Sequence, residues 1–202
     1  MTVSENPSLL YQTHARIHLD NIRYNIEGIR HAVGPGRKIL IAVKANGYGH
    51  GAVELSRMAE IIGVDWLGVA TVPEGMQLRQ AGIKLPILKF SPAFPEEMAA
   101  AIENRITLAV CDRENIRLLQ QTCCDMGTSI DVHLKIDTGM GRIGVIPTEA
   151  AKLAEWVEKE CPDLNLEGAF THLPISDAMH TDYTQKQIAR FASIIDSIHA
   201  AI

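Results

Sequence analysis

No apolar run in this 202-residue chain approaches the roughly 20 residues needed to cross a bilayer. The first fifteen residues, MTVSENPSLLYQTHA, have neither the basic start nor the apolar stretch of a secretory leader, so the reading is a cytoplasmic protein. Basic residues are outnumbered, 19 Lys and Arg against 24 Asp and Glu, and form no run or stripe; nucleic acid is therefore not an expected partner. The four cysteines, Cys111, Cys123, Cys124 and Cys161, lack the CxxC spacing of a zinc or thioredoxin-like site and read as reduced structural thiols. None of the eight histidines has the acidic partner at fixed offset that an HExxH-type site requires, so no metal is expected. No stretch rich in Gly, Pro or Ser marks an internal boundary.

What is present is an ordinary folding composition, 47% apolar and 21% charged. Six short runs rich in β-branched residues alternate with segments of helical period: Ile39 to Val43, Trp66 to Ala70, Pro86 to Phe90, Ile106 to Val110, Ile130 to Ile136 and Leu166 to Phe170. That alternation predicts βα units and a parallel sheet, and runs apolar on both faces predict strands covered on both sides. Ala52, Leu55, Ala59 and Ile62 predict one covering helix, closed by Gly63; Ile188, Phe191, Ile195 and Ile198 predict another after the last strand. A helical stretch from Asp20 to Ala32 precedes the first strand as a lead-in. A closed (β/α)8 barrel needs eight strands and typically ~250 residues, so the chain reads either as an open α/β sheet or as part of a barrel.

Three segments carry chemistry. In AVKANGYGHG, Ala42 to Gly51, a lysine ends a buried strand, the place where α/β proteins assemble their sites. Against an apolar wall the amine of Lys44 is suited to a Schiff base, and Tyr48 offers a hydroxyl to a phosphate near the following helix. His50 reads as a cap or surface residue. In KIDTGMGRIG, Lys135 to Gly144, two readings stand. Gly139, Gly141 and Gly144 satisfy GxGxxG, but Pro147 and Thr148 place the helix start too late for a dinucleotide turn. In the other reading a tight turn presents Arg142, whose planar fork suits an anionic oxygen. In FTHLPISDA, His172 stands just past the sixth strand, positioned to stack on a flat ring. Lys44, Arg142 and His172, at the same ends of three parallel strands, are expected to converge.

These three segments closely resemble the amino-terminal signatures of bacterial alanine racemases, and the resemblance runs from ARIHLDNIRYNI to Ile202. It implies a (β/α)8 TIM-type barrel, here with about six of its eight strands. Residues 1–202 would be a truncated pyridoxal-phosphate-binding barrel domain, the carboxy-terminal β domain being absent. It implies pyridoxal 5'-phosphate held by Lys44, with Tyr48 at its phosphate. Arg142 would face its phenolic oxygen and the substrate carboxylate, and His172 would lie beside its ring. Lys44, Arg142 and His172 are then the catalytic set, and Lys135 matches a lysine carbamylated in some members. The implied reaction interconverts L-alanine and D-alanine for peptidoglycan, in a homodimer whose partner supplies the second base. On that basis the 202 residues alone are expected to be inactive.

Two departures from the family pattern stand out, Lys89 in a strand that is mostly aliphatic in relatives, and Leu173 with Pro174 after His172. A single-domain barrel protein of pyridoxal-phosphate homeostasis and a nicotinamide-dependent dehydrogenase built on GMGRIG are the alternative readings.

Overall fold

Every apolar run named above becomes a strand and pairs with its successor. The computed structural model describes residues 14–178 and 182–202; His180 and most of the amino-terminal fifteen lie outside them. The chain divides into two units, Met1–Arg37 and Lys38–Ile202. In the first, α1 (Leu19–Val33) carries Asp20 in its first turn and Arg30 and His31 in its last, charges that complement the helix dipole. Gly34, at φ 79°, ends it. His14 and His18, four apart, precede this helix; no group of His, Cys, Asp or Glu that could hold a metal occurs among the described residues.

The second unit runs β1 (Leu40–Ala42), α2 (Lys44–Tyr48), α3 (Ala52–Ile61), β2 (Trp66–Val69), α4 (Val72–Gln80), β3 (Ile87–Lys89), α5 (Pro95–Glu103), β4 (Thr107–Val110), α6 (Arg113–Met126), β5 (Ile130–Lys135), a 3-10 turn at Pro147–Glu149, α7 (Ala150–Glu160), β6 (Leu164–Phe170) and α8 (Tyr183–Ala201). The sheet order is sequential and every pair is parallel. Among the described residues β1 and β6 are edges.

Two ring contacts show that the sheet is rolled. Trp66 on β2 and His133 on β5 are three ladder steps apart, about 14 Å on a flat sheet, yet their ring centroids are 5.2 Å apart. Phe90 and Phe170, at the ends of β3 and β6, approach to 6.3 Å in the same way. The result is six consecutive strands of a βα barrel with aromatic side chains on the concave face. Leu67, Ile87, Leu108 and Leu134, at most 1% exposed, belong to the core. A bulge between β5 and β6 leaves Glu167 unopposed, and its carboxylate stands 3.3 Å from His133 Nε2.

Helix ends follow local chemistry. Asp112 accepts from the Asn115 N–H at 2.8 Å to open α6, and Gly127 closes it at φ 61°. Thr71 and Glu74 form a reciprocal capping box on α4. From the same helix, the Arg79 guanidinium donates to four backbone carbonyls, those of Ile83, Leu85, Asn104 and Arg105, at 2.7–3.0 Å, joining two loops at the amino-terminal end of the sheet.

The inward face of α8 differs from the expected one. Gln187, Ile194 and Ile198 are buried, whereas Ile188 is 45% exposed. A polar residue takes the inward place because it faces the turn after β5 instead of the sheet's apolar surface. Lys89 is buried, its ammonium satisfied by Ser91 and the Pro92 carbonyl, with Glu97 3.8 Å away. All four cysteines are free, and burial with Asp163 nearby pushes the Cys123 thiol up to about 11. Among the described residues no helix is long and apolar enough to cross a membrane.

Candidate active site

After β1 the backbone winds the wrong way. Ala45, Asn46, Gly47 and Tyr48 have φ of 51°, 54°, 62° and 53°, so α2 is a left-handed turn. Gly47 and Asn46 tolerate that region, but Ala45 and Tyr48 each lose on the order of 1–2 kcal/mol. Several bonds hold the turn. Gly47 N–H donates to Val43 O at 2.7 Å, Gly51 N–H to Asn46 O at 2.9 Å, and Ala52 N–H to the Asn46 side chain at 3.0 Å. His50 is exposed and its Nδ1 lies 3.0 Å from Gly47 O, so the histidine caps the turn as the sequence suggested. The outcome is a lysine at the head of a strained, locked turn, its Nζ 5.8 Å from the Tyr48 ring centroid.

The turn after β5 is built around one carboxylate. Asp137 accepts from Gly139 and Gly141 N–H, each at 2.8 Å; partial desolvation pushes its pKa up, but the backbone N–H groups of Gly141, Gly139 and Met140 together with Lys135 hold it below the usual carboxylate value. Gly144 allows the chain to fold back on Asp137, since a Cβ there would stand 2.5 Å from the Asp137 nitrogen. No helix begins within the glycines; the 3-10 turn starts at Pro147 and α7 only at Ala150. The dinucleotide reading is therefore not supported, and the turn presents Arg142 instead.

These elements enclose one cavity of about 180 Å³, lined by Ala42, Lys44, Tyr48, Phe90, Lys135, Arg142, Phe170, Thr171 and His172. All five candidate residues, Lys44, Tyr48, Lys135, Arg142 and His172, meet there. A larger cavity of about 570 Å³ lies at the amino-terminal ends of β4 and β5, beside Arg105, Thr107 and Asp131, where barrels place stability and not catalysis.

The electrostatics confirm the convergence. Burial, then Arg142, Lys135 and Lys44, depress the His172 pKa, so one imidazole senses all three cations. Burial and then Arg142 bring Lys135, only 5% exposed, down to about 8, and its Nζ lies 4.4 Å from the Phe170 ring centroid. No carboxylate lines the cavity. Three cations, an imidazole and three aromatic rings suit a flat, anionic, carbonyl-bearing molecule, which is the chemistry of pyridoxal phosphate. Lys44 would take the carbonyl, Tyr48 and Arg142 the anionic oxygens, and His172 the ring.

Sequence reading missed Phe90, Phe170 and Thr171 as walls, although each ends or follows a strand. It also missed Glu74, whose signal was the T-x-x-E pattern beginning at Thr71. Of the two departures from the family pattern, neither Lys89 nor Leu173 with Pro174 lines the cavity.

Comparison with known proteins agrees with this geometry. Residues 17–202 match the family described as alanine racemase, N-terminal domain. The alanine racemase of Cutibacterium acnes is 43% identical over 188 residues, 92% of this chain and 50% of that protein. A Clostridium difficile alanine racemase in complex with cycloserine superposes with a TM-score of 0.90 at 36% identity, covering 96% of this chain and 53% of that one. The Bacillus anthracis alanine racemase with bound L-Ala-P gives 0.83 at 32% identity, covering 90% and 47%. The chain spans about half the length of the curated relatives it matches. With its rolled six-stranded sheet and its lysine at the end of β1, this chain belongs to the alanine racemase N-terminal domain family.

Proposed function

We propose that this chain is the cofactor-binding part of a pyridoxal-phosphate-dependent alanine racemase. The observation that carries the reading is the meeting of Lys44, Lys135, Arg142 and His172, from the carboxy-terminal ends of β1, β5 and β6, in one aromatic-walled cavity without a carboxylate. The homodimer, the cytoplasmic location and a supply of D-alanine for peptidoglycan belong to the same reading. The relatives named for this activity support it.

When bound, the cofactor supplies a conjugated electron sink for the charge left after an α-proton is removed. Lys44 would hold it through its amine and would move a proton at the substrate α-carbon on its own face. Arg142 holds anionic oxygens in its fork, where a planar guanidinium meets two at once. Burial, and then the cations around it, lower the pKa of His172, which disfavours a further positive charge where the imidazole would lie beside the ring. Tyr48 takes the phosphate. Inversion needs a base on the opposite face, and the partner subunit is proposed to provide it. Lys135, near pKa 8, keeps part of its population as a neutral amine that attacks the carbon of CO2 and releases a proton. The resulting N-carboxylate would pair with Arg142, and intact mass of the Lys135 peptide, heavier by one CO2, tests this.

The experiment for the main reading is conversion of L-alanine to D-alanine by the complete protein, with borohydride trapping and peptide mapping. Turnover that vanishes in Lys44→Ala, with the trapped adduct on Lys44 in the unaltered protein, is expected. An adduct on Lys135 or Lys89, or cofactor binding without racemisation, would refute it; the latter would favour the cofactor-homeostasis alternative.

A further inference from the structure

Glu74 lines no part of the cavity, yet its carboxylate touches the residue next to Lys44. Its Oε1 accepts from the Ala45 N–H at 2.7 Å, and its Oε2 from the Ala70 and Thr71 N–H groups at 2.8 and 3.1 Å. A capping box by itself needs only the Thr71 bond. The bond to Ala45 lies 29 residues away in sequence and on a different strand-end loop. The N3 glutamate of α5 shows the contrast: Glu97 accepts from the Phe94 N–H alone, and its carboxylate turns to Lys89 instead of reaching a second strand-end loop.

The Ala45 nitrogen belongs to the Lys44–Ala45 peptide, so the bond fixes the plane from which the Lys44 side chain departs. It also anchors the first of five consecutive left-handed residues, Ala45 to Gly49, of which Ala45 and Tyr48 would leave that region if free. A carboxylate accepting three N–H bonds is a strong, charge-assisted clamp. Its length suits the role: N3 of α4 is fixed by the reciprocal bond from Glu74 N–H to Thr71 Oγ1 at 3.3 Å.

We infer that Glu74 is the positioning residue for Lys44, holding the left-handed turn from the neighbouring loop so that the amine stands where the cofactor carbonyl arrives. This rests on the reading of Lys44 as the cofactor lysine. Glu74 is not a catalytic residue, because it touches neither the cavity nor the amine.

The test compares Glu74→Gln with Thr71→Ala in the complete protein. The glutamine keeps the length but, however its amide is turned, places an N–H against an N–H on one side. The alanine breaks the box through its hydroxyl and leaves the carboxylate's three bonds in place. In the cofactor-free protein, amide exchange of the peptide spanning Ala45 to Gly51 is expected to rise about tenfold in Glu74→Gln, and cofactor affinity to fall by a similar factor. Thr71→Ala should leave both within about twofold while losing a comparable amount of thermal stability. Unchanged exchange in Glu74→Gln would overturn the proposal, as would cofactor loss that follows melting temperature equally in both variants. A borohydride adduct on some other lysine in the unaltered protein would overturn the Lys44 assignment itself, and the exchange measurement, made without cofactor, would still decide whether Glu74 holds the turn.

Discussion

Arg190 donates from Nη1 to the Thr138 carbonyl at 2.8 Å, so a helix that lines no part of the cavity grips the turn that presents Arg142. Tyr183, seven residues earlier on the same stripe of α8, donates to the Gly139 carbonyl at 2.6 Å. Between them Gln187 is 2% exposed, and its amide has no hydrogen-bond partner among the described residues. Thr138, itself 1% exposed, shares a hydroxyl contact of 2.9 Å with Thr171, which precedes His172. Helix, arginine turn and histidine turn are thus one connected piece.

Arg190→Met should therefore raise KM for the amino acid about tenfold in the complete protein, with a smaller rise, about threefold, for Tyr183→Phe. Steady-state kinetics beside melting temperatures check it. A lowered melting temperature with KM unchanged would show that the stripe only stabilises.

Arg142→Lys is expected to lower turnover by about a hundredfold while cofactor retention falls less than about threefold, because a lysine keeps the charge and loses the fork. Visible absorbance of the bound cofactor and turnover, measured on one preparation, separate the two. Equal losses would assign Arg142 a structural role.

Lys135 gives a stability dependence on pH whose sign is opposite to that of a lysine held in an ordinary salt bridge. Its folded pKa, about 8, lies below the unfolded value of 10.5, so between these the unfolded chain binds more protons. Stability is complete above the unfolded value and is lost as pH falls through the folded one. Urea unfolding of the cofactor-free, uncarbamylated protein should show stability rising between pH 8 and 10.5, by on the order of 3 kcal/mol relative to Lys135→Met. A parallel pair of curves would refute it.

Gly68→Ala should displace a wall of the site. A Cβ on this β2 residue would stand 2.6–2.7 Å from two Phe90 ring carbons, and Phe90 borders the cavity. A loss of about 1–3 kcal/mol and weaker cofactor binding are expected, both partly restored by adding Phe90→Leu. Calorimetry and cofactor titration of the single and double variants decide it; additive effects would mean the two residues do not touch.

Strands β2 and β4 were legible because burial on both faces leaves an unbroken apolar run, the other four because short apolar-rich runs alternate with helical segments, and the helix of Ala52, Leu55 and Ala59 because one-sided burial leaves a 3.6-residue period. Lys44, Arg142 and His172 were legible because each follows a strand, and parallel strands share one carboxy-terminal end. The inward face of α8 was not legible. Its polar stripe serves the turn after β5, and a residue chosen to meet a backbone carbonyl from a distant loop leaves no apolar signature.

Local sequence thus determined which segments extend, which coil and which end in chemistry, since those depend on neighbours a few residues away. Tertiary structure alone decided three things: that the sheet rolls until Trp66 meets His133, that α2 winds left-handed with Glu74 on its first N–H, and that Lys135 is buried beside Arg142 with its pKa near 8. Each depends on contacts between residues tens of positions apart, whose energies come from burial and charge proximity and exist only once the chain has closed on itself.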